Sequence, residues 1–190
     1  MQDSDILAVV ARVTTVFNLE IAGTAEMIAL AERLRPHQVT LVPERREEVT
    51  TEGGLDVSAD PTTLAANIRR LRVAGIRTSL FIDATRESTT RSRDLGADAV
   101  EFHTGRYAHA PADPSTLDAL RSNAALGRSL GLAVHAGHGL TTDNVGAVAA
   151  IPEIEELNIG HHVVSRAVFV GLERAVRELR AAMDGARAAL

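Results

Sequence analysis

Short apolar runs and amphipathic stretches alternate along this chain, and the alternation predicts its elements. Residues 132–134, Leu-Ala-Val, form an apolar run of buried-strand type. The run breaks at Gly137-His138-Gly139, where two glycines let the backbone turn sharply and lie close to a ligand. A helix over residues 144–150 follows, with Thr141 or Thr142 as its cap. Parallel α/β proteins keep their chemistry at such a junction of strand, glycine turn and helix.

The same unit recurs. A leading helix runs from the Asp3-Ser4-Asp5 cap to about Val13. The pattern then predicts strands over residues 16–22, 38–43, 78–83, 99–105 and 156–160 besides the run at 132. Helices are predicted over residues 24–34, 61–74, 84–95, 113–130 and from His161 as one long helix toward Leu190. Residues 106–111 read as a loop, and the polar stretch 44–56 is long for a connection, with a tight turn at Gly53-Gly54.

Six strand–helix units imply a parallel sheet with right-handed crossovers. Strand parity chooses between an open doubly wound sheet and a barrel. Asn18 and Glu20 oppose Leu19 and Ile21; Ser79 and Asp83 oppose Leu80 and Ile82; Glu101 and His103 oppose Val100 and Phe102; Asn158 opposes Leu157 and Ile159. A doubly wound sheet is covered on both faces and wants both apolar, whereas a barrel has one helix-facing side and an interior that can end in a polar site. The expected fold is therefore one α/β domain over residues 1–190, of the (β/α)8 TIM-barrel type. Six units behind a solitary helix fall two strands short of eight. The first strand, first helix and second strand are expected to be missing, which leaves two long unpaired edges.

Composition narrows the function. The 190 residues are 45% hydrophobic with a net charge of −5, which fits a globular core and gives no basic surface for nucleic acid or anionic membrane. Aromatic residues are 3% and cysteine is absent, so base-stacking platforms, disulfides and thiolate metal sites are excluded. With no signal peptide and no apolar run of about 20 residues, a cytoplasmic protein is expected.

Several stretches then converge on one family. Asn18-Leu-Glu-Ile-Ala, Leu41-Val-Pro-Glu, Glu48-Val-Thr-Thr-Glu-Gly-Gly-Leu-Asp56, Ser79-Leu-Phe-Ile-Asp83, Glu101-Phe-His-Thr-Gly105, Ala136-Gly-His-Gly-Leu140 and Glu156-Leu-Asn-Ile-Gly-His161 resemble, in order and spacing, the pyridoxine 5′-phosphate synthase family of the vitamin B6 pathway. The resemblance implies a (β/α)8 barrel in a homo-octamer. It implies condensation of 1-deoxy-D-xylulose 5-phosphate with 3-amino-2-oxopropyl phosphate to pyridoxine 5′-phosphate, inorganic phosphate and water, with no organic cofactor and no metal. By motif, Glu20 matches a general base, Glu101 a transition-state stabiliser and His138 a proton donor. Thr50 matches a deoxyxylulose phosphate ligand, and Gly139, Gly160 and His161 match residues contacting the amino-ketone phosphate. The family's Asn-x-Asp-His and His-x-Arg motifs belong to the strands that precede the present Met1.

Each assignment has a plainer competitor. Glu20 could be a structural carboxylate paired with an arginine, and Glu101 with His103 a satisfied interior pair. A histidine between two glycines at a strand end is less easily explained by packing, which favours a chemical role for His138. Gly160-His161 opens a helix, where free N–H groups and the dipole favour an anion. His135, His138 and His161 match no standard zinc spacing, His37 and His109 read as solvated, and His162 has no assigned role. Two other readings stay open: an incomplete barrel that only binds phosphorylated ligands or assembles with partners, and another phosphosugar barrel such as an isomerase or aldolase. No lysine at a strand end could form a Schiff base for the last.

Overall fold

The structure, a computed structural model, describes residues 3–43 and 53–188, without the side chains of residues 3 and 4. Two expectations fall outside that description: the capping side chains of Asp3 and Ser4, and Thr50 with the polar stretch around it.

Helix α1 (Asp3–Val10) stops short of Val13. Strand β1 (Asn18–Ala22) and helix α2 (Ala25–Leu34) follow, then β2 (Gln38–Val42), α3 (Pro61–Val73), β3 (Arg77–Asp83), α4 (Arg86–Asp94) and β4 (Ala99–His103). The helices start where capping side chains allow: Thr24, Asp60 and Thr85 each accept from an N–H three residues on. The predicted loop after β4 contains a short helix, α5 (Gly105–His109). Its one turn is closed by Ala108 N–H on the Thr104 carbonyl at 2.8 Å and anchored where Tyr107 Oη donates to the Asn144 carbonyl at 2.7 Å.

Next come α6 (Pro114–Ser129), β5 (Ala133–Gly137), α7 (Val145–Ala149) and β6 (Ile154–Asn158). Neither Thr141 nor Thr142 caps α7; its N-cap is Asn144, whose side chain turns back to accept from Thr141 N–H and to donate to the Gly139 carbonyl. The expected long terminal helix is two, α8 (His161–Val170) and α9 (Leu172–Arg187). Gly171 at φ +83° breaks them, a conformation that costs glycine nothing. Glu178 of α9, held down to about 2 by hydrogen bonds from Arg166 and Arg174, clasps the two helices together.

All six strands are parallel and lie in chain order, β1 to β6. The polar-in, apolar-out parity holds. Leu19, Ile21, Val39, Leu41, Leu80, Ile82, Val100, Phe102, Val134 and Ala136 point outward into a buried core with Ile28, Ile68, Leu71, Leu120 and Val148 of the helices. Each valine, leucine, isoleucine or phenylalanine among them contributes about 2 kcal/mol by leaving water. The fold is thus a half-barrel of six strands, and among the described residues β1 and β6 each pair on one side only.

Candidate active site

Parallel pairing aligns the inward residues in rows across the sheet. Glu20, Thr40, Ser79 and Ala99 make one row. Phe81, Glu101, His135 and Glu156 make the next, after a register shift in β6. Asp83, His103, Gly137 and Asn158 close the C-terminal rim. Below them the floor is polar and dense: Thr40 Oγ1 donates to Asn18 Oδ1 at 3.0 Å, and Gln38 reaches the same oxygen.

Glu101 is the most buried of the inward carboxylates, 3% exposed. Its Oε2 accepts from Asn158 Nδ2 at 2.8 Å. Burial, and then the charge of Glu20, push its carboxyl up to about 8, with Glu156 adding to the push and the Asn158 bond opposing it. Glu20 is open to solvent at its edge, yet its carboxyl is also raised, by loss of surrounding water and then by Glu156. Among the described residues no arginine pairs with Glu20. Three carboxylates therefore face one another across the concave side.

The seat of Glu101 depends on a missing side chain. A Cβ on Gly137 would fall 2.6 Å from Glu101 Oε1 and 2.7 Å from the Asn158 carbonyl oxygen, which is backbone and cannot yield. Gly137→Ala is expected to destabilise the fold by about 1–3 kcal/mol and to lower kcat together with the melting temperature, both measurable on one preparation.

His138 follows β5 with φ +86°, a left-handed conformation that strains a side-chain-bearing residue. Thr104 holds it there: its N–H and Oγ1 both donate to the Gly137 carbonyl at 2.8 Å, and Oγ1 also meets the His138 carbonyl. Burial, and then the charges of His109 and His161, lower the His138 pKa. His109 is part of α5, its Nδ1 on the Gly105 carbonyl at 2.7 Å, and His37 Nδ1 accepts from Phe17 N–H. His162 ties α8 to the turn after β5 by accepting from Thr142 N–H.

Gly160 is the N-cap of α8 and gives no side-chain bond to the first-turn N–H groups, which leaves them for an anion. His161 opens that helix, and Gly139 lies next to His138 against Ala108. Glu20 and Glu101 thus interact from the middle of β1 and β4, while His138 and Gly139 lie just past the end of β5 and Gly160 and His161 just past the end of β6; Thr50 lies outside the described residues. Among the described residues no three His, Asp or Glu side chains are disposed to hold a metal. His135 is buried and its pKa is lowered by burial; its Nδ1 stands 3.9 Å from Glu156 Oε1. Sequence reasoning gave no role to Glu156, Asn158 or Thr104. Strand parity could have found Glu156, two residues before Asn158; nothing local marks Thr104.

Solved structures share the fold at low identity. One is a 4-hydroxy-2-oxoglutarate aldolase, with a TM-score of 0.62 and 15% identity over 96% of this chain and 76% of that one. A 3-hexulose-6-phosphate synthase also scores 0.62, at 17% identity over 93% and 77%. Both are barrel enzymes of TIM-like architecture, and the likeness concerns fold alone. A Schiff-base aldolase needs a lysine amine, and all 20 Lys and Arg residues of this chain are arginine. Sequence relatives are far closer. Pyridoxine 5′-phosphate synthases of Cyanothece sp. (strain PCC 7425) and Synechococcus sp. (strain WH7803) are each 52% identical, over 97% and 98% of this chain and 78% and 76% of their own. That of Trichlorobacter lovleyi is 50% identical over 94% of this chain and 76% of its own. The family model for "Pyridoxal phosphate biosynthesis protein PdxJ" matches residues 1–185. The match of the family model along residues 1–185 and of relatives at about 50% identity shows that the chain belongs to the PdxJ family, the pyridoxine 5′-phosphate synthases.

Proposed function

We propose that this chain condenses 1-deoxy-D-xylulose 5-phosphate with 3-amino-2-oxopropyl phosphate to pyridoxine 5′-phosphate, releasing phosphate and water by general acid–base catalysis. The observation that supports the reading is a pair of interacting carboxyls, Glu20 and Glu101, both raised in pKa, one open and one buried, on the inward face of one parallel sheet whose fifth strand ends at His138. Ring closure moves protons off carbon and onto departing oxygen, which needs a base and acids poised near neutrality.

Glu20 is the base: loss of surrounding water and then the charge of Glu156 raise its pKa, which makes the carboxylate a stronger proton acceptor. Glu101 stays protonated below about pH 8 and offers its O–H to negative charge developing in the transition state. His138 is the acid. Its lowered pKa makes the imidazolium a stronger donor, and a substrate phosphate beside His161 offsets the positive charges that depress it. Gly139, Gly160 and His161 bind the amino-ketone phosphate at the open end of α8, and Thr50 binds the deoxyxylulose phosphate.

The test supplies both substrates to purified protein and measures pyridoxine 5′-phosphate and released phosphate. Product with equimolar phosphate is expected; no product from a folded preparation overturns the reading. A variant isolates the phosphate end. Space beside Gly160 is empty and its φ is −100°, so a methyl group costs no strain. Gly160→Ala is expected to melt like the parent while raising KM for the amino ketone roughly 10-fold or more, by crowding hydrogen bonds to a charged group.

The same reading extends to a closed eight-stranded barrel, a homo-octamer and a cytoplasmic location. The relatives are longer chains, of which this one covers 76–78% in the pairs above. Val164, Val168, Phe169 and Leu172 are exposed along α8 and the start of α9, which suits burial in an assembly. No helix among the described residues is long and apolar enough to cross a membrane.

A further inference from the structure

We propose that His103 is a positioning residue for His138, anchored by Asp83, so that the three side chains act as a file running along the rim from β3 to the turn after β5. The inference rests on His138 being the proton donor and extends that reading to two residues with no assigned role.

The file is set by strand register. Asp83, His103 and Gly137 are Cα partners across β3, β4 and β5, which brings the His138 ring over the end of β4. The two imidazoles lie 4.6 Å apart between ring centroids and tilt by 45°. On its other side His103 presents Nδ1 to Asp83 Oδ1 at 3.4 Å, and Asp83 Oδ1 also accepts from Gly54 N–H at 3.2 Å. The Phe81 ring meets His103 edge-on at 5.4 Å. A Cβ on Gly105 would come within 2.5 Å of His103 Cε1, so the turn into α5 is shaped around this ring. His103 therefore has little room to turn, and its side chain is 7% exposed.

Two consequences follow for His138. Thr104 fixes its strained backbone, but only a neighbour can fix the direction of its ring, and the His103 face is that neighbour. An imidazolium stacked on a ring whose far edge meets a carboxylate is also electrostatically favoured. Among the described residues the titratable groups that act on His138 are His103, with Asp83 behind it, His109 of α5 and His161 of α8. The two outer histidines disfavour its charged form, and the file from Asp83 opposes them.

The experiment follows the His138 ring by NMR titration, assigned with His138→Asn, in the parent, in Asp83→Asn and in His103→Phe. Asp83 is half exposed, so its substitution leaves the core untouched. In both variants the His138 midpoint is expected to fall. Steady-state kinetics on the same proteins are expected to give a kcat loss of about 10–100-fold, as for a misdirected catalytic group, with KM changed less than threefold. His103→Phe keeps an aromatic shelf and is expected to retain more kcat than His103→Ala. An unmoved His138 midpoint in both titrated variants overturns the proposal. The titration needs no turnover, so it stays decisive even if the parent makes no pyridoxine 5′-phosphate, which instead defeats the functional reading.

Discussion

Glu20→Gln lowers kcat by about 10²–10⁴-fold, the span that a positioned general base supplies, while leaving the melting temperature unchanged or raised by about 2–4 °C at most. The side chain makes no ion pair among the described residues and is exposed at the middle of the edge strand β1, so the amide replaces it without a packing loss. The surviving activity is expected to lose its dependence on pH on the acid side. In the parent, kcat rises as pH climbs through the raised pKa of Glu20, because only the ionised carboxylate accepts a proton. Steady-state rates from about pH 5 to pH 9 check this, and an acid limb that survives in the glutamine variant assigns the base elsewhere.

Glu101→Gln has the opposite balance of effects: inactive, yet more stable. The Glu101 carboxyl is lifted from 4.5 to about 8 because its charged form is buried beside Glu20 and Glu156. The folded chain thus holds this proton more tightly than the unfolded chain does. Stability from this group is full below about pH 4.5 and is lost as pH rises toward 8, at about 1.4 kcal/mol per pH unit. Glutamine never ionises and still accepts the bond from Asn158. Guanidinium denaturation should therefore give similar midpoints for the two proteins near pH 5 and a clearly higher one for the variant near pH 9. Parallel curves at every pH would mean that Glu101 is not buried as a neutral acid. A site that weakens its own fold at alkaline pH is one selected for chemistry at the expense of stability.

Much of this site was legible in the sequence because a strand has a period of two. Placing Glu20, Glu101 and Asn158 opposite apolar neighbours such as Leu19, Val100, Phe102 and Leu157 needed no more than that, and the outward core confirmed the sides. What parity cannot give is which residues of different strands stand abreast. His103 and His138 are 35 positions apart in number, and only the pairing of β4 with β5 puts their rings together. Short elements were lost for a different reason. The five residues of α5 hold too few turns to display a helical period, and a tertiary bond from Tyr107 fixes them. The break between α8 and α9 was hidden because apolar residues recur on both sides of Gly171, and a lone glycine inside a helical pattern is often tolerated. At α7 two threonines offered themselves as caps, and the nearer Asn144 prevailed by bonding back to its own turn.

The order of the strands bears on how such a chain comes together. Every pairing among the described strands joins one β-segment to the next along the polypeptide, so no closure spans more than one helical crossover. Entropy is then lost in small instalments, and a nascent chain can zip its ladder from the amino end as each unit emerges. Glu20 on β1 and His161 after β6 stand at the two ends of the described ladder, so the residues proposed here to act together share one face only once all six strands have paired.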